Sequence, residues 1–355
     1  RQSEQDPATR IEMKALLLTP TYFPQLTGNA VTVHRITKGL LQRGIACRII
    51  NLSQTADVDL MNEADAFAPD IIHGFHAYKT GLAGVRLKKI FGVPLVITMT
   101  GTDINVDLRD RDRKKTVRDV LYASDLVTVF NDHAFSVLLK YGLPEDKIRI
   151  IHQSVLLDDD KNTLDYRALY GVDRQDRLFL MSGGLRRIKQ IGYAIDVLTE
   201  VRKIRPHLRL FIAGSILEPE EYRKIEGRLR RRPWITYLGE VRRENMPALL
   251  RSVDVVLNTS ASESEANALL EAFYFRTIVI AGSIPGNASL LTDKTSFLFR
   301  NKREFYEKIL YVIDHPTAWE PVRREADRLM TTVFSFQREQ VGYTDAYEAL
   351  VGASG

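Results

Sequence analysis

Cysteine is nearly absent: the 355 residues contain one, Cys47. A single thiol excludes an internal disulfide framework and a cysteine-cluster metal site. Its strand-like setting, "ACRIINL", points to a buried structural thiol in a reducing, cytoplasmic environment. No apolar run of about 18 residues occurs, so no membrane-spanning helix is expected. The opening "RQSEQDPATRIE" lacks the apolar stretch of a secretory signal. Residues 1–12 are expected to lie outside the fold, as a cloning remnant or disordered extension, with the fold starting at Met13. No aromatic-rich nucleic-acid motif accompanies the basic runs, so nucleic acid is not an expected partner.

What is present suits a large α/β protein. Hydrophobic residues make up 45% and charged residues 27%, and the length favours two domains. The net charge of +5 suits an anionic ligand or surface. The densest basic run, "RLRRRP" at 228–233, reads as a solvated helix end or as a peripheral contact with anionic membrane.

Short apolar runs alternate with amphipathic helical patterns along the chain. Strands are expected at 14–20, 46–52, 69–75, 94–101, 126–131 and 147–155. The pattern breaks at the polar stretch 156–177, a linker. It resumes with strands at 178–184, 208–214, 235–241, 253–260 and 278–283. Continuous apolar strands separated by helices indicate parallel sheets covered on both faces, so two doubly wound α/β domains in series are expected. The boundaries are 13–165, 166–332 and a C-terminal helix at 333–355. In that last segment Phe336, Tyr343, Tyr347 and Leu350 form one stripe at helical spacing.

Ligands in such sheets bind outside the carboxyl ends of the strands, so strand-end residues are the candidates. Gly28 and Asn29 open the first helix, where free backbone N–H groups can cradle an anion. Thr100-Gly101-Thr102-Asp103 follows a buried strand and can form a polar wall or cap the next helix. His73 and His76 follow another strand. No third ligand accompanies them, so no metal site is assigned and His76 is taken as a substrate contact. "MSGGLRRIKQ" ends a strand in Gly183-Gly184 and supplies Arg186, Arg187 and Lys189 at once. It is neither a GK[ST] phosphate loop nor a GxGxxG fingerprint, but the cations suit phosphate. Finally, "SESEANALLEA" carries Glu263, Glu265 and Glu271. If Ala266 onward is helical, the N–H groups of 264–268 face the cleft. Glu263 and Glu271 would then stand ~12 Å apart, too far for one acid/base pair but suited to two grips on an extended ligand.

These motifs together resemble the retaining glycosyltransferases of family 4, with the GT-B fold of two Rossmann-like domains facing a central cleft. The resemblance rests on "GGLRRIK", the "YLGEV" strand, "SxxE-x7-E-A", the "IPGN" turn and the helix after "FSF". It implies that Glu271 binds the nucleotide ribose, that Glu263 contacts the donor sugar, and that Lys189 meets the diphosphate. The family's usual arginine falls at Gly184 here, and Arg186 is expected to supply its charge. Ser264, Glu265, Ala266, Asn267, Gly28 and Val241 are assigned to the nucleotide-sugar site, and Asn29 and Thr102 to substrate. Glu263, Lys189, Arg186 and Asp103 are assigned to catalysis. Glu265 stands where the family keeps small or apolar residues and is expected to point away from the diphosphate or meet the sugar acceptor. Thr100-Gly101 replaces the family's histidine-glycine pair.

The closest motifs are those of the glycosyltransferase 1 domain-containing group and of selenosugar synthases. The latter share "E-x-x-A-N" as Glu263, Ala266 and Asn267, and would imply UDP-GlcNAc as donor. The resemblance thus implies metal-independent, retaining transfer from a nucleotide sugar, UDP-linked, to an acceptor the sequence does not name, with no cofactor. A GT-B epimerase and a non-catalytic nucleotide-sugar-binding protein are the alternatives.

Overall fold

The computed structural model describes residues 13–25, 27–157, 163–288 and 290–353. The segment 1–12 and part of the linker at 156–177 lie outside them.

The first six strands are β1 Lys14–Thr19, β2 Ala46–Asn51, β3 Ile71–Phe75, β4 Leu95–Thr98, β5 Leu126–Val129 and β6 Ile148–Ile150. They form one parallel sheet in the order β2-β1-β3-β4-β5-β6. The second six are β7 Arg177–Ser182, β8 Leu208–Ala213, β9 Ile235–Gly239, β10 Val255–Asn258, β11 Ile278–Gly282 and β12 Phe297–Phe299. They form a parallel sheet in the order β12-β11-β10-β7-β8-β9. Counted from β7, this is the 3-2-1-4-5-6 order of dinucleotide-binding folds, with its switch point between β7 and β10. In the first sheet the order reverses between β1 and β3.

The helices of the first half are α1 Gly28–Gln42, α2 Asp57–Phe67, α3 Ala77–Phe91, α4 Thr102–Asn105, α5 Lys114–Ala123 and α6 Asp132–Lys140. Those of the second are α7 Tyr166–Leu169, α8 Ile191–Ile204, α9 Pro219–Arg230, α10 Met246–Ser252, α11 Asn267–Tyr274, α12 Lys302–Asp314, α13 Trp319–Thr332 and α14 Phe336–Gly352.

Strand periodicity sends alternate residues to opposite faces. Ala15 and Leu17 join one core and Leu16 and Leu18 the other. Leu178 and Leu180 are likewise split from Phe179 and Met181. Each such buried leucine contributes about 1.5–3 kcal/mol, and both faces need cover, which the helices provide.

The chain crosses between domains twice, after β6 and again before α14. Ala326 and Phe334 pack in the second domain's core, whereas Tyr343, Ala346 and Tyr347 of α14 pack in the first domain's, beside Val33 and Ile36 of α1. The crossings run side by side. The His152 and Phe334 rings meet edge-to-face at 5.3 Å, and the Ser154 hydroxyl donates to Glu339. A buried polar layer also fastens α14: His73 bonds Tyr347 and Thr98 through its two ring nitrogens, at 2.6 Å each. Burial pushes the His73 pKa down to about 3, so its ring is neutral.

The basic run is engaged within its own domain. Arg228 bonds Asp196 and the Gly192 carbonyl, Arg230 bonds Glu226, Arg231 the Gly227 carbonyl, and Arg232 Thr199. Among the described residues no helix is long and apolar enough to cross a membrane.

Candidate active site

A cavity of about 440 Å³ opens between the carboxyl ends of the two sheets. Both switch points contribute to it. From the first domain come the loop after β1, with Gly28 and Asn29, the turn after β3, with His76, and the turn after β4, with Thr102. From the second come Gly184, Arg186 and Lys189 after β7, Val241 after β9, and Glu263, Ser264, Glu265, Ala266, Asn267 and Glu271 after β10.

Asp103 is the expected site residue that the cavity wall does not include. It is 0% exposed, and its carboxylate accepts the backbone N–H groups of Ala77, Thr100, Gly101 and Ile104 at 2.8–3.2 Å. A carboxylate so saturated has no lone pair aimed at a substrate. Its catalytic assignment is corrected: Asp103 fastens the turn after β3 to the turn after β4.

Glu265 follows the first of its two expectations and points away from a diphosphate, so its side chain is withdrawn from the nucleotide-sugar site. Its side chain is 0% exposed; its carboxylate accepts the Gln153 N–H at 3.0 Å and lies 3.8 Å from His152. It is spent on the first crossing, away from a diphosphate. The pairing has an electrostatic mark: burial lowers the His152 pKa, but Glu265 and the Phe130 backbone outweigh it and raise it.

Helix α11 starts at Asn267, with Ala266 as its cap. Among the described residues, the backbone N–H groups of Ser264, Ala266, Asn267 and Ala268 meet no partner, and all four residues line the cavity. A row of unspent N–H groups at a helix start is an anion cradle. Lys189 stands beside it, its Nζ 2.5 Å from Glu263 Oε1. Burial raises the Glu263 pKa, but Lys189, Ser260 and Asn258 prevail and hold it below the usual carboxylate range. Glu263 is therefore anionic, and the pair can exchange partners with a ligand. The Arg186 guanidinium lines the cavity with no partner among the described residues. At Gly184 a Cβ would sit 2.3 Å from Leu217 Cδ1, so a side chain there would displace Leu217.

Glu271 is buried at the far side and contacts Arg243, whose guanidinium also donates to the Leu156 carbonyl at 3.1 Å. Sequence reasoning missed Arg243. Its only signal was a basic pair following "YLGEV", with nothing local to link it to Glu271.

On the first domain, Asn29 spends its amide on Thr19 Oγ1 at 2.8 Å and leaves its buried carbonyl oxygen unpartnered. His76 caps α3 at φ 87°, a strained left-handed backbone for a non-glycine residue. Its Nδ1 accepts the Lys79 N–H at 3.4 Å, which assigns the ring proton to Nε2. That Nε2 is buried without a hydrogen-bond partner, 3.7 Å from Asp107. His73, by contrast, spends both nitrogens in the core. Among the described residues no three His, Cys, Asp or Glu side chains gather as metal ligands.

Also missed was a buried network at the domain junction. Arg35 of α1 is 2% exposed and bonds Glu339 of α14 through two nitrogens, Gln153 at 2.9 Å, and Asn267 of α11 at 3.1 Å.

Comparison with known proteins agrees with this architecture. Residues 51–159 match the family model described as Glycosyltransferase Family 4, and residues 176–315 match Glycosyl transferases group 1. A Xenopus tropicalis "Glycosyltransferase 1 domain-containing protein 1" is 25% identical over 338 residues, 92% of this chain and 94% of the frog protein. The structure of Anabaena Alr3699/HepE in complex with UDP-glucose superimposes with TM-score 0.80 at 17% identity, covering 95% of this chain and all of that one (100%). Sucrose-phosphate synthase from Thermosynechococcus elongatus superimposes with TM-score 0.83 at 16% identity, covering 96% of this chain and 100% of the other. With a family 4 domain in its first half, a group 1 domain in its second, and their two parallel sheets facing one cleft, the chain is a glycosyltransferase of the GT-B fold.

Proposed function

We propose that the cleft binds a UDP-sugar and transfers its sugar to an acceptor seated against the first domain. The observation that carries this reading is the row of unspent N–H groups of Ser264, Ala266, Asn267 and Ala268, lying beside Lys189 and Arg186 at the β7/β10 switch point. Fixed donors and cations aimed at one place stabilise the charge that develops on a departing diphosphate. Support for uridine comes from the HepE structure with UDP-glucose, and UDP-GlcNAc is the first sugar to test because of the shared "E-x-x-A-N".

In this reading Glu271 takes the ribose hydroxyls, exchanging its contact with Arg243 for them. Glu263 takes donor-sugar hydroxyls as Lys189 turns to the diphosphate. Asn29 and His76 line the first domain's wall where the incoming molecule would sit. Transfer is proposed to proceed with retention and without a divalent metal, the cations doing the neutralising.

Thermal-shift and calorimetric titration against a panel of uridine, guanosine and adenosine diphosphate sugars tests this, with EDTA in one arm. A UDP-sugar is expected to bind and to turn over with EDTA present, and NMR of the product reads its anomeric configuration. Binding by none of the panel would overturn the reading. Acceptor-free conversion to an epimeric sugar nucleotide would instead identify an epimerase, and binding with no turnover across a broad acceptor panel a non-catalytic binder.

A further inference from the structure

The loop 263–267 belongs to the second domain, yet its backbone is held by the first. Asn105, in α4, donates its amide to the Glu263 carbonyl at 3.2 Å. Asn131, after β5, donates to the Ser264 carbonyl and, at 3.4 Å, to the Gly286 carbonyl. Gln153, after β6, donates to the Glu265 carbonyl at 2.9 Å. Three consecutive carbonyls are thus captured by three side-chain amides from three successive strand ends of the opposite domain.

In a planar trans peptide the C=O of one residue and the N–H of the next point in opposite directions. Holding the carbonyls of 263, 264 and 265 toward the first domain therefore turns the N–H groups of 264, 265 and 266 away from it. The N–H groups of Ser264 and Ala266 belong to the unspent row described above. Neither Asn105 nor Asn131 lines the cavity. Close approach is built in on the same side: Gly101 has φ +124°, and a Cβ there would lie 2.9 Å from Ser264 Cβ.

We propose that Asn105, Asn131 and Gln153 are positioning residues for the donor diphosphate, orienting the anion cradle by capturing its carbonyls from across the cleft. The cradle is then complete only when the domains are closed on each other, so Asn105 and Asn131 of the acceptor-side domain take part in donor binding from behind the cavity wall. This rests on the UDP-sugar reading.

The test uses the full chain and the variant Asn131→Asp. The Asn131 side-chain oxygen caps α6 by accepting the Ala134 N–H at 2.9 Å, and aspartate keeps that cap. It loses the amide donor to Ser264 and Gly286 and sets a carboxylate against their carbonyls. UDP affinity is expected to fall about tenfold, the order expected when a buried amide donor is lost and its carbonyl partners are left unsatisfied, while affinity for uridine, which has no phosphate, stays unchanged. Equal losses for UDP and uridine would indicate a general structural role and overturn the proposal, as would unchanged UDP affinity. Asn105→Asp, at a half-exposed site, carries the same comparison should Asn131→Asp not fold. Wild-type protein that binds no UDP would instead end the functional reading itself, so the two failures are distinct.

Discussion

Glu271 meets Arg243 before it meets any ligand, and Glu263 meets Lys189. Each acid is held ready by a cation that a nucleotide sugar can redirect. Glu271→Ala is expected to weaken UDP binding about 10- to 100-fold, the range for losing a charged hydrogen-bonding partner, and calorimetry reads it; unchanged affinity would remove Glu271 from the ribose. Lys189→Ala is expected to lower kcat more than it raises the donor KM, because charge on the leaving diphosphate grows in the transition state. His73 gives a different kind of prediction. Its pKa is near 3 in the folded chain against an ordinary 6.5. Between these values the unfolded chain takes up a proton that the folded one refuses, so the contribution is complete above about pH 6.5 and lost as pH falls toward 3. Melting temperatures across that window should fall more steeply for the wild type than for His73→Gln. Of these residues, Glu263, Glu271 and Lys189 were legible because each sits in a compact motif. Arg243 was not, and Asp103 misled: a carboxylate at a strand end looks the same in sequence whether it faces a substrate or its own backbone.

At the scale of elements, the buried strands were the legible part. Runs such as "KALLLT" and "IIHGF" are continuous and apolar because both sheet faces are covered. Helix α2, "DVDLMNEADAF", escaped notice because only Leu60 and Ala64 are buried on it, too few to make a stripe. Strand β12 has only three residues, and α12 and α13, which follow it, are charge-rich helices lying beyond the last motif. The α1–α14 contact was invisible for another reason: Arg35 and Glu339 lie 304 positions apart, and a long-range pair leaves no local period. Both are 2% exposed. Glu339→Ala leaves a buried guanidinium without its counter-ion and is expected to cost about 3–5 kcal/mol, whereas replacing both partners by apolar residues should recover most of that loss. Chemical denaturation of the single and double variants checks it.

For the whole molecule, the surplus of positive charge is not concentrated in the cleft. Lys79, Arg186, Lys189 and Arg243 on its walls are balanced by Glu240, Glu263, Glu265 and Glu271. Long-range attraction is therefore a small part of donor capture, and close contacts inside a screened cavity are the larger part. UDP affinity is expected to change by less than about threefold between 50 and 500 mM salt. A steep decline would show that net charge, not the local cradle, recruits the donor.

The paired crossings have a mechanical consequence. One tether would let the domains twist, slide and splay. Two tethers lying side by side act like two pins on a door: they define a single axis and leave swinging as the low-cost motion. Gln153, bonded to both Arg35 and Glu265, sits at that axis, whereas the Asn105 and Asn131 contacts to 263 and 264 belong to neither crossing, so a swing loosens those two first while the junction around Arg35 stays packed.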